Sequence, residues 1–184
     1  VRRALDLLDG PKASGPAAIE LDGFETRYLT VDAFKDSKVP LADVAPHLTD
    51  GRGIVRANAA MAIGAIGAPA AELASSLAVL LRDDDPKVRI AAAGALDKLG
   101  DDAVKATASF LVGALRGDPE VAKACAPVLA ARKTRVLTAL LKGLETDDEP
   151  HAKRILELII ALPDAAEILV DAIESPAENV QVNA

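Results

Sequence analysis

The chain has 184 residues, half of them apolar (51%), with three Phe, one Tyr and no Trp, and its 28 acidic residues outnumber 21 basic ones. A net charge of −7 and a pI near 4.9 argue against nonspecific binding to nucleic acid or to an anionic membrane, because both need a basic footprint. A lone cysteine, Cys125, excludes an internal disulfide framework.

Taken in chain order, Val1-Arg2 with Ala4, Leu5 and Leu8 reads as the start of a helix. The breakers Asp9-Gly10-Pro11 and Ser14-Gly15-Pro16 then make residues 9–23 a loop. Phe24, Tyr28, Val31 and Phe34 share a face of a helix over about 25–35; a small hairpin around Asp22-Gly23 is the competing reading. Residues 1–38 are thus the irregular portion and 39–174 the regular one. Pro40 opens a helix over 39–48, and apolar spacings of three and four predict helices over 54–66, 69–82, 86–99, 102–115, 119–131, 134–145, 150–161 and 164–174. Pro127, eight residues into one of these, should kink or shorten it. The run 57–81 carries one charge, Glu72, but Gly64, Gly67 and Pro69 interrupt it, so a buried helix pair is expected rather than a membrane span. Ser175-Pro176 and Val180 resemble the opening of a further helix, so both ends fall inside repeats. The chain reads as one solenoid that is part of a longer array, with self-association through exposed array ends expected. Since it begins at Val1 rather than Met, the compartment is left open, the cytoplasm being favoured.

A fixed period organises these helices. Asp50–Gly67 aligns without a gap on Asp83–Gly100, 33 residues on, with Asp50/Asp83, Val55/Val88, Arg56/Arg89, Ala59/Ala92, Ala62/Ala95 and Gly67/Gly100 coinciding. Asp118, Pro119, Val121, Ala124, Ala126 and Leu129 begin a third copy at the same offset. Such a period marks stacked repeats, each a helix pair whose apolar face only a neighbour can bury. The signature in Pro86–Gly100 is an opening Pro, Val-Arg, an Ala-rich face and a closing Leu-Gly. It resembles the bacterial HEAT repeat, the HEAT-like repeat of phycobiliprotein lyases. The resemblance covers roughly 39–173 and implies an all-α, right-handed superhelix of antiparallel helix pairs, usually a surface for other proteins.

Within each repeat, Asp83–Asp85 suit a helix N-terminus, Pro86 its first turn, and Gly67 and Gly100 the residue after a helix, where positive φ suits glycine. The pairs Asp50/Arg56 and Asp83/Arg89 are read as a structural ladder, each Asp accepting from backbone N–H groups and an adjacent Arg; Ala122 at the third Arg position should end it. The acidic triplets 83–85 and 147–149 lack the alternating ligands, central Gly and distal Glu of a calcium loop, so capping and solvation explain them. His47 and His151 have no partner at metal-ligand spacing and are read as ordinary surface or turn residues, and no metal or cofactor is expected. Cys125 takes the place of Ala92 on the packed face, that of a small buried hydrophobe.

Two classes of function are open. The first is a non-catalytic scaffold that presents the concave second-helix face to a peptide or another protein, without nucleic acid or membrane insertion. The outward positions on that face are Ala57, Met61 and Gly64, then Ile90, Gly94 and Asp97, then Lys123, Pro127 and Ala130. Small, apolar side chains at its N-terminal end suit a docked segment; plain Ala-rich helix surface is the alternative. The second class is an enzyme, and the resemblance admits a lyase or isomerase acting on a bilin or related ligand. The His-Glu pairs of HEAT-like deoxyhypusine hydroxylases are absent, since Leu48 follows His47 and Ala152 follows His151. The basic, aromatic face of HEAT-like DNA glycosylases is absent too. The scaffold is the reading preferred.

Overall fold

The computed structural model describes residues 40–132, 135–161 and 170. Among them all regular structure is helical, with α1 Leu41–Val44, α2 Gly53–Ile66, α3 Ala74–Leu80, α4 Pro86–Leu99, α5 Asp101–Ala114, α6 Pro119–Ala130, α7 Leu137–Gly143 and α8 Glu149–Ile160. Two 3-10 segments, Ala45–Thr49 and Ala68–Leu73, precede α2 and α3. The fold is an all-α solenoid of stacked helix pairs. The chain forms two compact units, Val1–Gly100 and Asp101–Ala184.

Helix starts follow from their turns. Asp85, Asp118 and Asp148 cap α4, α6 and α8, their carboxylates accepting from Lys87 N (2.9 Å), Glu120 N (2.8 Å) and His151 N (3.1 Å). Each cap satisfies a donor that the first turn cannot. Helix α2 opens differently, on Gly53 in place of a proline. A Cβ there would lie 2.6 Å from Asp85 Oδ2, so glycine leaves room for the cap of the next repeat. Gly67 (φ 72°, ψ −144°) and Gly100 (φ 100°, ψ −177°) close α2 and α4 in backbone regions that only glycine occupies readily.

Two helices expected to be continuous are divided. The segment read as a helix over 39–48 is one α turn followed by a 3-10 turn, because Pro46 has no N–H to give the carbonyl four residues back. The segment 69–82 likewise starts as a 3-10 segment at Pro69 and becomes α-helical only from Ala74. Pro127 leaves α6 helical to Ala130 but two residues shorter than the equivalent α4 (12 against 14). Of the expected helix over 164–174 only Val170, which is helical, is described; the expected helix over 25–35, and the hairpin alternative at 22–23, lie outside the described residues.

In the first unit α2 and α4 pack together and α3 covers α4, burying Val55, Ile63, Leu77, Val88, Leu96 and Leu99. Alanine lets the axes approach: a Cβ on Gly64 would come within 3.0 Å of Ala95 Cα. In the second unit α5 packs on α6 and α7, and α8 on α6 and α7, around Leu111, Leu129, Leu140, Ile155 and Ile159. There Gly143 is the close-approach residue, with Val112 Cγ1 2.5 Å and Ile155 Cδ1 2.8 Å from where a Cβ would stand.

Candidate functional site

The positions assigned from spacing to the outward face of the second helices do not all face outward. Ala57 is fully buried and Gly64 is buried in the α2–α4 contact. Both leave the candidate surface, because α2 is packed by the elements on each side of it (α1 and the 3-10 segments as well as α4), which enclose its short side chains. Asn58 beside them is buried too. The accessible part in the first unit is Met61, half-buried on α2, with Ile90, 36% exposed, and Gly94 on α4, where nothing stands within 4 Å of a Cβ position. Asp97 continues the strip at half exposure, its carboxylate 3.9 Å from Lys98 Nζ. Lys123 and Pro127, both exposed, belong to the second unit and are described there alone.

The Asp–Arg residues form a network that crosses repeats. Arg56 donates from Nε to Asp83 Oδ2 (2.7 Å) and from Nη2 to Asp83 Oδ1 (2.8 Å), and its third nitrogen donates to the Asp50 carbonyl (2.7 Å). It therefore ties its own turn to the turn of the next repeat. Arg89 repeats the first half of the pattern, donating to the carbonyls of Asp83 (2.6 Å) and Asp84 (3.1 Å). The position one period beyond Asp83 is Arg116, so the acidic acceptor does not recur. Asp50, at the head of the series, accepts from Arg52 N, Nε and Nη2 (2.8, 2.9 and 3.0 Å). These bonds draw the Asp50 carboxyl down to about 2. Burial opposes ionisation of Asp83, yet the Arg56 guanidinium, the Asp85 N–H and the charge on Arg89 hold it below the ordinary carboxylate range. The same pairing raises Arg56 further above its already high value. Asp50, Arg56 and Asp83 are thus committed to structural bonds.

The second unit uses another clasp. Arg116 Nη2 donates to Thr146 Oγ1 (2.6 Å) and Nε lies 3.3 Å from Asp148 Oδ2, so the turn after α5 is joined to the turn before α8. Arg154 on α8 donates to the Leu115 carbonyl. Beside this clasp sits His151, 3% exposed, with no partner for Nδ1 among the described residues. The reading of His151 as an ordinary surface or turn residue is therefore wrong. The signal was available: His151, Ile155 and Ile159 recur every four residues, and all three are buried. Cys125 is fully buried, and burial pushes its thiol up to about 12, which suppresses the thiolate needed for nucleophilic attack.

Among the described residues no three His, Cys, Asp or Glu side chains gather in a metal-binding group, and no helix is long and apolar enough to cross a membrane. A family model described as HEAT repeats matches residues 41–130. Two crystal structures of engineered proteins are similar to the chain. One is 21% identical with a TM-score of 0.51, the match covering all of this chain and 94% of the other. The second is 26% identical with a TM-score of 0.52 over 99% of this chain, which spans about half (51%) of that protein's length. No curated protein matches.

Proposed function

The chain is a HEAT-like repeat protein, and from that premise we propose that it is a non-catalytic scaffold whose second-helix face in the first unit docks an apolar segment of another protein. The observation that carries this is the exposure of Ile90 beside the open Gly94 on α4, next to Met61 at the position one period before Gly94 on the packed neighbour α2. A solvated helix face ordinarily carries charge at such positions. Here they hold an aliphatic side chain, a flexible thioether and a bare backbone, a combination that accepts a partner's side chains by apolar burial. Such binding depends weakly on salt. Met61 is half-buried, so an acid there would also disturb packing; Ile90→Asp with Gly94→Asp avoids this. Affinity capture should retain the same bound protein on the wild-type chain and lose it on this double variant, at about 50 mM and at about 500 mM salt alike, a range that screens surface charge. Helical circular dichroism should be unchanged. Equal capture by the folded double variant would refute the assignment.

A further inference from the structure

We propose that His151 makes the seating of α8 depend on pH: the neutral ring stays beside the Arg116–Asp148 clasp, and its protonation releases the first turn of α8. His151 is buried, 3% exposed, and its Nδ1 is a buried atom with no partner among the described residues that would welcome a proton's charge. Its backbone N–H is bonded to the cap, Asp148 Oδ1 (3.1 Å), and the same carboxylate's other oxygen faces Arg116 Nε (3.3 Å). Any movement of the ring therefore acts directly on the joint between two turns.

The charges around the ring favour neutrality. Arg116 from the turn after α5 and Arg154 from α8 are both cationic, and among the described residues Asp148 is the carboxylate acting against them. The charged side chains of the helices packed on α8, Glu120 and Lys123 of α6 and Lys142 of α7, are exposed, as are Glu149, Lys153 and Glu157 on α8 itself. Burial first and the two guanidiniums second thus depress the ring below its ordinary value of 6.5. The sign follows. Above 6.5 the ring is neutral whether α8 is seated or released, and stability is at its full value. As pH falls from there through the depressed value, the released ring takes the proton first, and seating weakens about tenfold per pH unit until the seated ring also protonates.

The test is hydrogen exchange of α8 amides in the full chain between pH 7.5 and 5.5, corrected for intrinsic exchange. Protection in α8 should fall up to about tenfold per pH unit below 6.5 in the wild type, remain level in His151→Leu, and keep its slope in His47→Gln, which removes the chain's only other histidine. If His151→Leu does not fold, the ring resonance of wild-type His151 decides the matter. A midpoint below 6.5 that rises in Arg116→Gln supports the proposal. A midpoint at or above 6.5, one unmoved by Arg116→Gln, or α8 protection indifferent to pH overturns it.

Discussion

Replacing Asp83 by Asn tests whether the bond between repeats stabilises the first unit. The carboxylate accepts three hydrogen bonds, two from Arg56 and one from the Asp85 N–H. Asn can keep the two to Oδ1, from Asp85 N and Arg56 Nη2, but it removes the negative charge and sets an NH2 group against Arg56 Nε where Oδ2 stood. Each charge-assisted bond contributes about 1.5–3 kcal/mol, and breaking a buried pair costs about 3–5 kcal/mol because the surviving charge stays desolvated. The Arg56 side chain is 18% exposed and Asp83 7%, so partial rehydration of the guanidinium keeps the cost near the lower end, about 3 kcal/mol. Asp50→Asn is the matched control. It too loses its charge and the one guanidinium bond to Oδ2, but Arg52 is 49% exposed and two residues away, so the pair persists in part in the unfolded chain and its loss costs about 1 kcal/mol or less. Urea unfolding at pH 7 should separate the variants by about 2 kcal/mol, with Arg56→Met/Asp83→Asn much less destabilised than the sum of its single changes. Acid should erase the difference. Asp83 is depressed in the folded state, so its contribution is full above its ordinary 3.8 and is lost as pH falls through the folded value. Equal losses for Asp83→Asn and Asp50→Asn, or strict additivity with Arg56→Met, would refute the reasoning.

Glycines in the second unit should respond in opposite directions. Gly143→Ala drives a Cβ into Val112 and Ile155 and should destabilise by about 1–3 kcal/mol, whereas Gly113→Ala enters open space on α5 and should stabilise by about 0.5–1 kcal/mol in the same thermal melts. Cys125 should not react with a disulfide reagent at pH 8 while the chain is folded and should react fully in denaturant, since burial holds its thiol near 12; prompt labelling of the native chain would contradict its placement.

The stacking was legible because it rests on side chains that repeat. Val55 and Val88 are both fully buried, and Gly67 and Gly100 both take the positive φ that their place after a helix suggested. Burial on the second-helix face was less legible, because it depends on what lies on either side. Ala57 and Ile90 occupy equivalent positions, yet one is enclosed and the other is 36% exposed. Local spacing places a residue on a helix face and is silent about how closely neighbouring elements cover that face. The Asp–Arg spacing of six pairs each Arg with the carbonyl of its own turn, while the carboxylate that accepts the Arg56 fork comes from 27 positions ahead, which a motif confined to one turn cannot show. His151 was obscured by its type, since a polar ring was weighed by chemistry when its spacing to Ile155 and Ile159 already gave its burial.

The reach of Arg56 also sets where this chain can be cut and rejoined. Helix boundaries suggest a module ending at Gly67, or at Leu81 after the following first helix. A cut at either place leaves Arg56 without the carboxylate of Asp83, and Gly53 shaped around a cap, Asp85, that is no longer there. The hydrogen-bonded unit therefore overlaps its neighbour, running from Asp50 through Asp85, and grafts made inside that span exchange a bonded seam for an exposed cation.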